Sequence, residues 1–224
     1  MISSESHQPD RRSDNAAEYV RLFIPRVHRL VKLGYDRLDA KRYAGAEETA
    51  ITGELVESID FVLDYPTTKW MRFYSVYDDP PVNEPKRRGC QRRTGRGRRR
   101  VDIRLDSSEV SPRTRFRFEC KRLGDDHTVS RYLGEDGLGC FVRGDYARED
   151  DRAGMLGYVQ SDDEETWAER LEKELLRSAH DFAVRSPWRH APIDPELHHT
   201  YRSTHGRGRG RKQIEIYHTL LLFG

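Results

Sequence analysis

Apolar residues at Val20, Phe23, Val27 and Leu30 recur at helical spacing. They predict a first helix opening at Asp14, with Pro25 expected to kink or restart it. A second helical stripe, Ile51, Leu55, Ile59 and Val62, predicts a helix from about Ala44 to Asp64, stopped before Pro66. At about 100° per residue, Glu48 falls on the centre line of that stripe, and Glu54 and Glu57 flank it. An acid centred on a buried face is unusual and marks Glu48 for chemistry.

Beyond Pro66 the period changes from helix to strand. Trp70, Arg72, Tyr74 and Val76 form a short β-like run ended by Asp78-Asp79-Pro80-Pro81. Val101 to Leu105 alternates, and Arg115 to Lys121 alternates again. In the latter run Phe116, Phe118 and Cys120 share one face, and Arg117, Glu119 and Lys121 the other. A loop of about ten residues between the two runs predicts neighbouring antiparallel strands. Residues 127–147 mix helix with glycine-rich turn, and 155–160 reads as a strand. Ser161 with Glu164 fits a capping box opening a helix to about Arg185. Three prolines in 187–195 mark a loop. Two runs, 198–205 and 213–223, predict a C-terminal β-hairpin around a Gly-Arg turn. The expected fold class is therefore α/β (an α+β mixed sheet) with an N-terminal helix pair, as one domain over 14–224 behind a disordered tail, 1–13.

Charge alters this picture locally rather than globally. Lys plus Arg number 40 and Asp plus Glu 38, yet nine of the fifteen residues from Lys86 to Arg100 are basic. That basic loop, 86–100, points to a polyanionic partner. Three cysteines without a CxxC pair argue against a disulfide framework or a cysteine-built zinc site. No stretch approaches the roughly 18 apolar residues of a spanning helix, and the N-terminus lacks an apolar signal core, so no membrane partner and a cytoplasmic location are expected.

If Val101, Ile103 and Leu105 face a core, Asp102 points to the opposite side of its strand, as do Glu119 and Lys121 on theirs. Two carboxylates and an ammonium then share one surface, with the basic loop leading into it. Phosphodiester hydrolysis asks for these groups. Oxygen ligands hold a hard divalent ion. That ion neutralises phosphate charge. A lysine orients or deprotonates the attacking water or stabilises the charge that develops on phosphorus. A cross-strand salt-bridge ladder is the plainer reading of the same three residues.

With Asp102 on one strand, Glu119-Cys120-Lys121 on the next and an acid on a preceding helix, the chain resembles the PD-(D/E)xK nuclease superfamily. Val101 stands where that family often has proline. The resemblance implies a restriction-endonuclease-like αβββαβ core over residues 44–160. It also implies Mg²⁺ (or Mn²⁺) held by Asp102, Glu119, Glu48 and the Cys120 carbonyl, with Lys121 beside the nucleophile. Glu47 and Glu54 stand behind Glu48 for the helix-borne role, and Arg131 and Tyr132 are candidates on the helix after the ExK strand. The function implied is a metal-dependent endonuclease acting on DNA, with RNA not excluded, in bacterial defence against foreign DNA. Cutting both strands asks for a homodimer or a partner subunit. The alternative is a non-catalytic nucleic-acid-binding or assembly subunit.

For nucleic-acid contact the candidates are Arg96, Arg98, Arg99 and Arg100, whose Gly-Arg alternation suits a phosphate backbone. His205, beside Gly206-Arg207-Gly208, is another. His198, His199 and His205 lack the spacing of a metal site. No Walker loop or nucleophile elbow is present.

Overall fold

The computed structural model describes residues 11–81, 100–208 and 212–224. Two helices open the chain, α1 (Arg11–Tyr35) and α2 (Glu48–Asp64). The strands β1 (Tyr74–Asp78), β2 (Ile103–Ser107) and β3 (Thr114–Leu123) follow. Two short helices, α3 (Val129–Leu133) and α4 (Leu138–Val142), lead to β4 (Arg152–Val159). The chain ends with α5 (Glu164–Arg177), β5 (Val184–His190), β6 (Thr200–His205) and β7 (Ile214–Leu222).

Among the described residues, seven strands form one mixed sheet in the order β1-β2-β3-β4-β7-β6-β5. The β3–β4 and β4–β7 pairs are parallel and the rest antiparallel. β2 and β3 are the antiparallel neighbours that their alternation predicts, with Ile103 opposite Phe118 and Leu105 opposite Phe116. The sheet is covered on both faces. Phe116, Phe118 and Cys120 point into a core shared with Phe23, Val27 and Leu30 of α1 and Ile51, Leu55 and Ile59 of α2. Each fully buried phenylalanine there contributes on the order of 1.5–3 kcal/mol by leaving water. Gly154 of β4 lies directly under the Phe118 ring, which a Cβ at that position would strike. On the other face Leu123, Met155, Val159 and Leu220 pack with Tyr132 of α3, Phe141 of α4 and Trp167, Leu171 and Leu175 of α5.

Several local expectations shift. Helix α1 runs unbroken through Pro25 and begins at Arg11, inside the predicted tail; residues 1–10 lie outside the described chain. The first part of the Trp70 run is a 3-10 turn over Lys69–Phe73, and only Tyr74–Asp78 is strand. Asp163, not Ser161, caps α5, accepting from Thr166 N at 2.7 Å. That helix ends at Arg177 instead of continuing to 185. The proline-marked loop begins as strand β5, which tolerates Pro187 because it is an edge strand with register shifts on both sides of Ser186. The basic stretch 86–100 lies outside the described residues except for Arg100. No helix among the described residues is long and apolar enough to cross a membrane.

Candidate active site

A mismatch of strand lengths creates the site. β2 pairs with β3 only from Thr114 to Phe118, whereas β3 continues to Leu123 along β4. Among the described residues, the last five of β3 therefore have a strand on one side alone, and their outward backbone groups need other partners. Two carboxylates supply them. Asp102, in the bend just before β2, accepts from Cys120 N at 2.6 Å through Oδ2. Glu48, the first residue of α2, accepts from Arg122 N at 3.2 Å through Oε2. Its place at the positive end of α2 favours a negative side chain.

The Lys121 side chain closes this end of the sheet. Its ammonium donates to Glu48 Oε1 at 3.0 Å, Glu119 Oε1 at 3.0 Å and the Cys120 carbonyl at 2.7 Å. Two carboxyl groups thus hold one cation, with a third, Asp102, near enough to feel its charge, and the three cannot all ionise without cost. Glu119 is 5% exposed. Burial first, then the neighbouring Asp102, pushes its carboxyl up to about 8, against the pull of Lys121. Burial likewise lifts Asp102 to about 6, opposed by Lys121 and by the Cys120 N–H. Lys121 moves the other way from what burial alone dictates. Desolvation disfavours its charge, but Glu119, Glu48 and Asp102 together outweigh that and raise it. At neutral pH it is an ammonium, a donor and not a base.

Asp102, Glu119, Lys121 and Glu48 are therefore brought together, and of the three helix-borne acids it is Glu48 that reaches the lysine. Glu47 turns to the Arg122 guanidinium at 2.6 Å, and Glu54 lies near Tyr43. Sequence reasoning missed three supporting residues. Arg122 and Gln160 both donate to the Ala46 carbonyl, at 3.2 and 2.9 Å, and Gln160 also to Tyr43 O at 2.8 Å, holding the segment that delivers Glu48. Tyr146 lies near Glu119 and Asp102, and burial followed by Glu119 raises its hydroxyl. Arg122 directly follows the ExK run and could have been noticed; nothing periodic marks the other two.

The remaining candidates lie apart. Arg131 is exposed on α3 and donates to His127 Nδ1 at 3.1 Å. Tyr132 is wholly buried in the second core. Arg100 pairs with Asp79, and Arg96, Arg98 and Arg99 fall outside the described residues. His205 must be corrected. It is fully buried, bonded to Ser203 at 2.7 Å and to the Phe182 carbonyl at 2.8 Å, and so presents nothing to a phosphate. An open groove of about 530 Å³ between α3 and α5, lined by Thr128, Ser130, Trp167 and Arg170 among others, contains none of the site carboxylates.

The donor set suits a hard divalent cation in kind: carboxylate oxygens, one backbone carbonyl, and a buried Glu119 Oε2 with no hydrogen-bond partner among the described residues. In arrangement Glu48 and Glu119 turn to the lysine and Asp102 to the Cys120 N–H. Among the described residues no group of three His, Cys, Asp or Glu is gathered as a metal site. Protein-family models, curated proteins and solved structures, compared with this chain, give no match.

Proposed function

We propose that this chain is a metal-dependent nuclease hydrolysing nucleic-acid phosphodiesters, with DNA as its substrate. The observation that carries the reading is the convergence of Asp102, Glu119, Glu48 and the Lys121 ammonium where β3 outruns β2. The order α2-β1-β2-β3-α3/α4-β4, with β3 parallel to β4, supports a restriction-endonuclease-like core.

Asp102, Glu119 and Glu48, with the Cys120 carbonyl, would hold Mg²⁺ or Mn²⁺. Such an ion neutralises phosphate charge and makes water more acidic. Lys121, released from part of its carboxylate cage, donates a hydrogen bond to the attacking water or to a phosphoryl oxygen. Its positive charge offsets what develops on phosphorus as the water oxygen adds and the ester oxygen leaves. Glu48 keeps the ammonium aimed, and Arg122 with Gln160 keeps Glu48 in reach. Pro81 bridges Arg100, which stands two residues before Asp102 in the chain.

The test is cleavage of plasmid, linear duplex and single-stranded DNA with Mg²⁺ or Mn²⁺ by the wild type, Asp102→Ala and Lys121→Ala. The reading expects loss in both variants, and equal cutting by all three proteins refutes it. A second reading, a nucleic-acid-binding or assembly subunit that does not cut, is favoured by one observation: the lysine already satisfies two of the carboxylates. Folded protein that shifts DNA, never cuts and gains no thermal stability from either ion would decide for it.

A further inference from the structure

The face that carries Glu119 and Lys121 begins with arginines. Along β3 the same side of the strand presents Arg115, Arg117, Glu119 and Lys121 in steps of about 6.8 Å. On β2 the matching side presents Arg104 and Asp106, and the register sets Arg104 directly opposite Arg117 and Asp106 opposite Arg115. Like charges directly opposed across an antiparallel pair weaken it. Here the fold keeps such a pair on β2 and β3, one strand in from the β1 edge of the sheet.

The surrounding groups lessen that repulsion without cancelling it. Asp106 lies 2.9 Å from Arg104 Nε and 3.7 Å from Arg115 Nε, and Asp150 pairs with Arg117. Three guanidiniums share two carboxylates. Asp106 is itself buried, so its charge is spent on the arginines above it. Burial first, then Arg115 and Arg104, lowers Arg117 to about 10. The Arg104 guanidinium lies 4.2 Å from the centre of the Tyr77 ring, which fixes its plane. Side-chain exposure grades from 12% at Arg117 through 21% at Arg104 to 45% at Arg115, so the track opens to solvent as it leaves the carboxylates. Of the helices of this layer, α3 meets β3 at its far end, where Leu123 packs with Tyr132, and α5 lies on β5 and β7.

We propose that Arg104, Arg115 and Arg117 form a phosphate-contacting track that holds the nucleic-acid backbone on its way to Asp102, Glu119 and Lys121. The proposal rests on the nuclease reading for its occupant. A backbone is favoured over an acidic protein because the guanidiniums lie in line with the carboxylates and ammonium, so one polymer meets both. Planar guanidinium forks suit phosphate oxygens in a way a lysine row would not. A ligand phosphate also supplies the missing negative charge and removes the cost of the opposed pair.

The test measures binding of a fluorescein-labelled DNA by anisotropy in EDTA over a series of salt concentrations, so that no cleavage is needed. Arg115→Gln and Arg104→Gln should each weaken binding several-fold and lower the slope of log K against log salt by about 1, and the double variant by about 2. Arg115→Lys should restore the slope but only part of the affinity. Unchanged slopes overturn the proposal, and so does absence of DNA binding by the wild type. Loss of poly-glutamate binding with an unchanged DNA slope also overturns it, in favour of an acidic protein surface. Melting curves accompany each variant; if the double variant unfolds, the nearly half-exposed Arg115 decides alone. Asp102→Ala separates the two ideas. Cleavage unaffected by that change sinks the nuclease reading, while altered slopes in the arginine variants still establish the track.

Discussion

Two buried polar networks lie in this sheet, and they obey opposite rules. In the second core Tyr132, His218, Ser203 and His205 form a chain whose directions are fixed by its last link. The Phe182 carbonyl only accepts, so His205 Nδ1 carries a hydrogen and its Nε2 receives the Ser203 hydroxyl, at 2.7 Å. Ser203 Oγ then accepts from His218 Nε2 at 2.8 Å, leaving His218 Nδ1 to receive the Tyr132 hydroxyl at 3.2 Å. Each of these imidazoles has both ring nitrogens partnered while neutral. At the end of β3, by contrast, two carboxyls bond one ammonium with Asp102 close by, and Glu119 Oε2 has no hydrogen-bond partner among the described residues. A network that satisfies itself holds a fold together; one left short of cations has room for a ligand.

The largest expected effect separates the two by activity. Lys121→Ala or Asp102→Ala should reduce metal-dependent cleavage by about 10²–10³-fold or more, whereas Ser203→Ala should leave the rate of the folded protein unchanged. Steady-state rates on one plasmid preparation check this. Next comes stability. Ser203→Ala orphans a ring nitrogen on each histidine, at about 1–3 kcal/mol apiece. In a chain of this size that lowers the melting temperature by about 2–4 °C per kcal/mol.

Acidity tilts the two regions in opposite directions. His205, held down to about 4 chiefly by burial, and His218, lowered for the same reason, bind protons more readily unfolded than folded. Buried His28, also lowered to about 4, adds to this. The stability they support is lost as pH falls from about 6.5 towards 4. Glu119, raised to about 8, keeps its proton in the folded chain after the unfolded chain has released it, so stability falls as pH rises from about 4.5 to 8. Metal-free melts of Glu119→Gln should lose the decline at the alkaline end and keep the acid one. Divalent ions should stabilise the wild type more at pH 8 than at pH 6. The smallest effect distinguishes neighbouring acids. Glu47→Gln, at an exposed side chain that pairs with Arg122, should change stability by less than about 0.5 kcal/mol and cleavage little. Glu48→Gln should weaken cleavage measurably.

Much of the site was legible because strand alternation has a period of two. Once Phe116 and Phe118 are assigned inward, Glu119 and Lys121 are forced to the other face, and Asp102 follows from Ile103 and Leu105. The helical stripe singled out Glu48, although the residue stands at the open N-terminus of α2, partly exposed, instead of on a buried centre line. His205 shows where such reasoning failed. Its neighbours Gly206 and Arg207 look like a phosphate-binding turn, but the side chain turns inward to Ser203, and no local pattern encodes that. β5 was hidden by Pro187, whose missing N–H matters only if the strand is central.

Periodicity and residue type, carried by the chain alone, determined which side chains share a face and which chemistry they can offer. Only the tertiary structure decided where β3 outruns β2, that Glu48 arrives at the edge so exposed, and that Arg104 faces Arg117. These are matters of strand length, register and docking, set by packing between segments far apart in sequence. Local pattern constrains the direction of a side chain, but the distance between two side chains depends on everything folded between them.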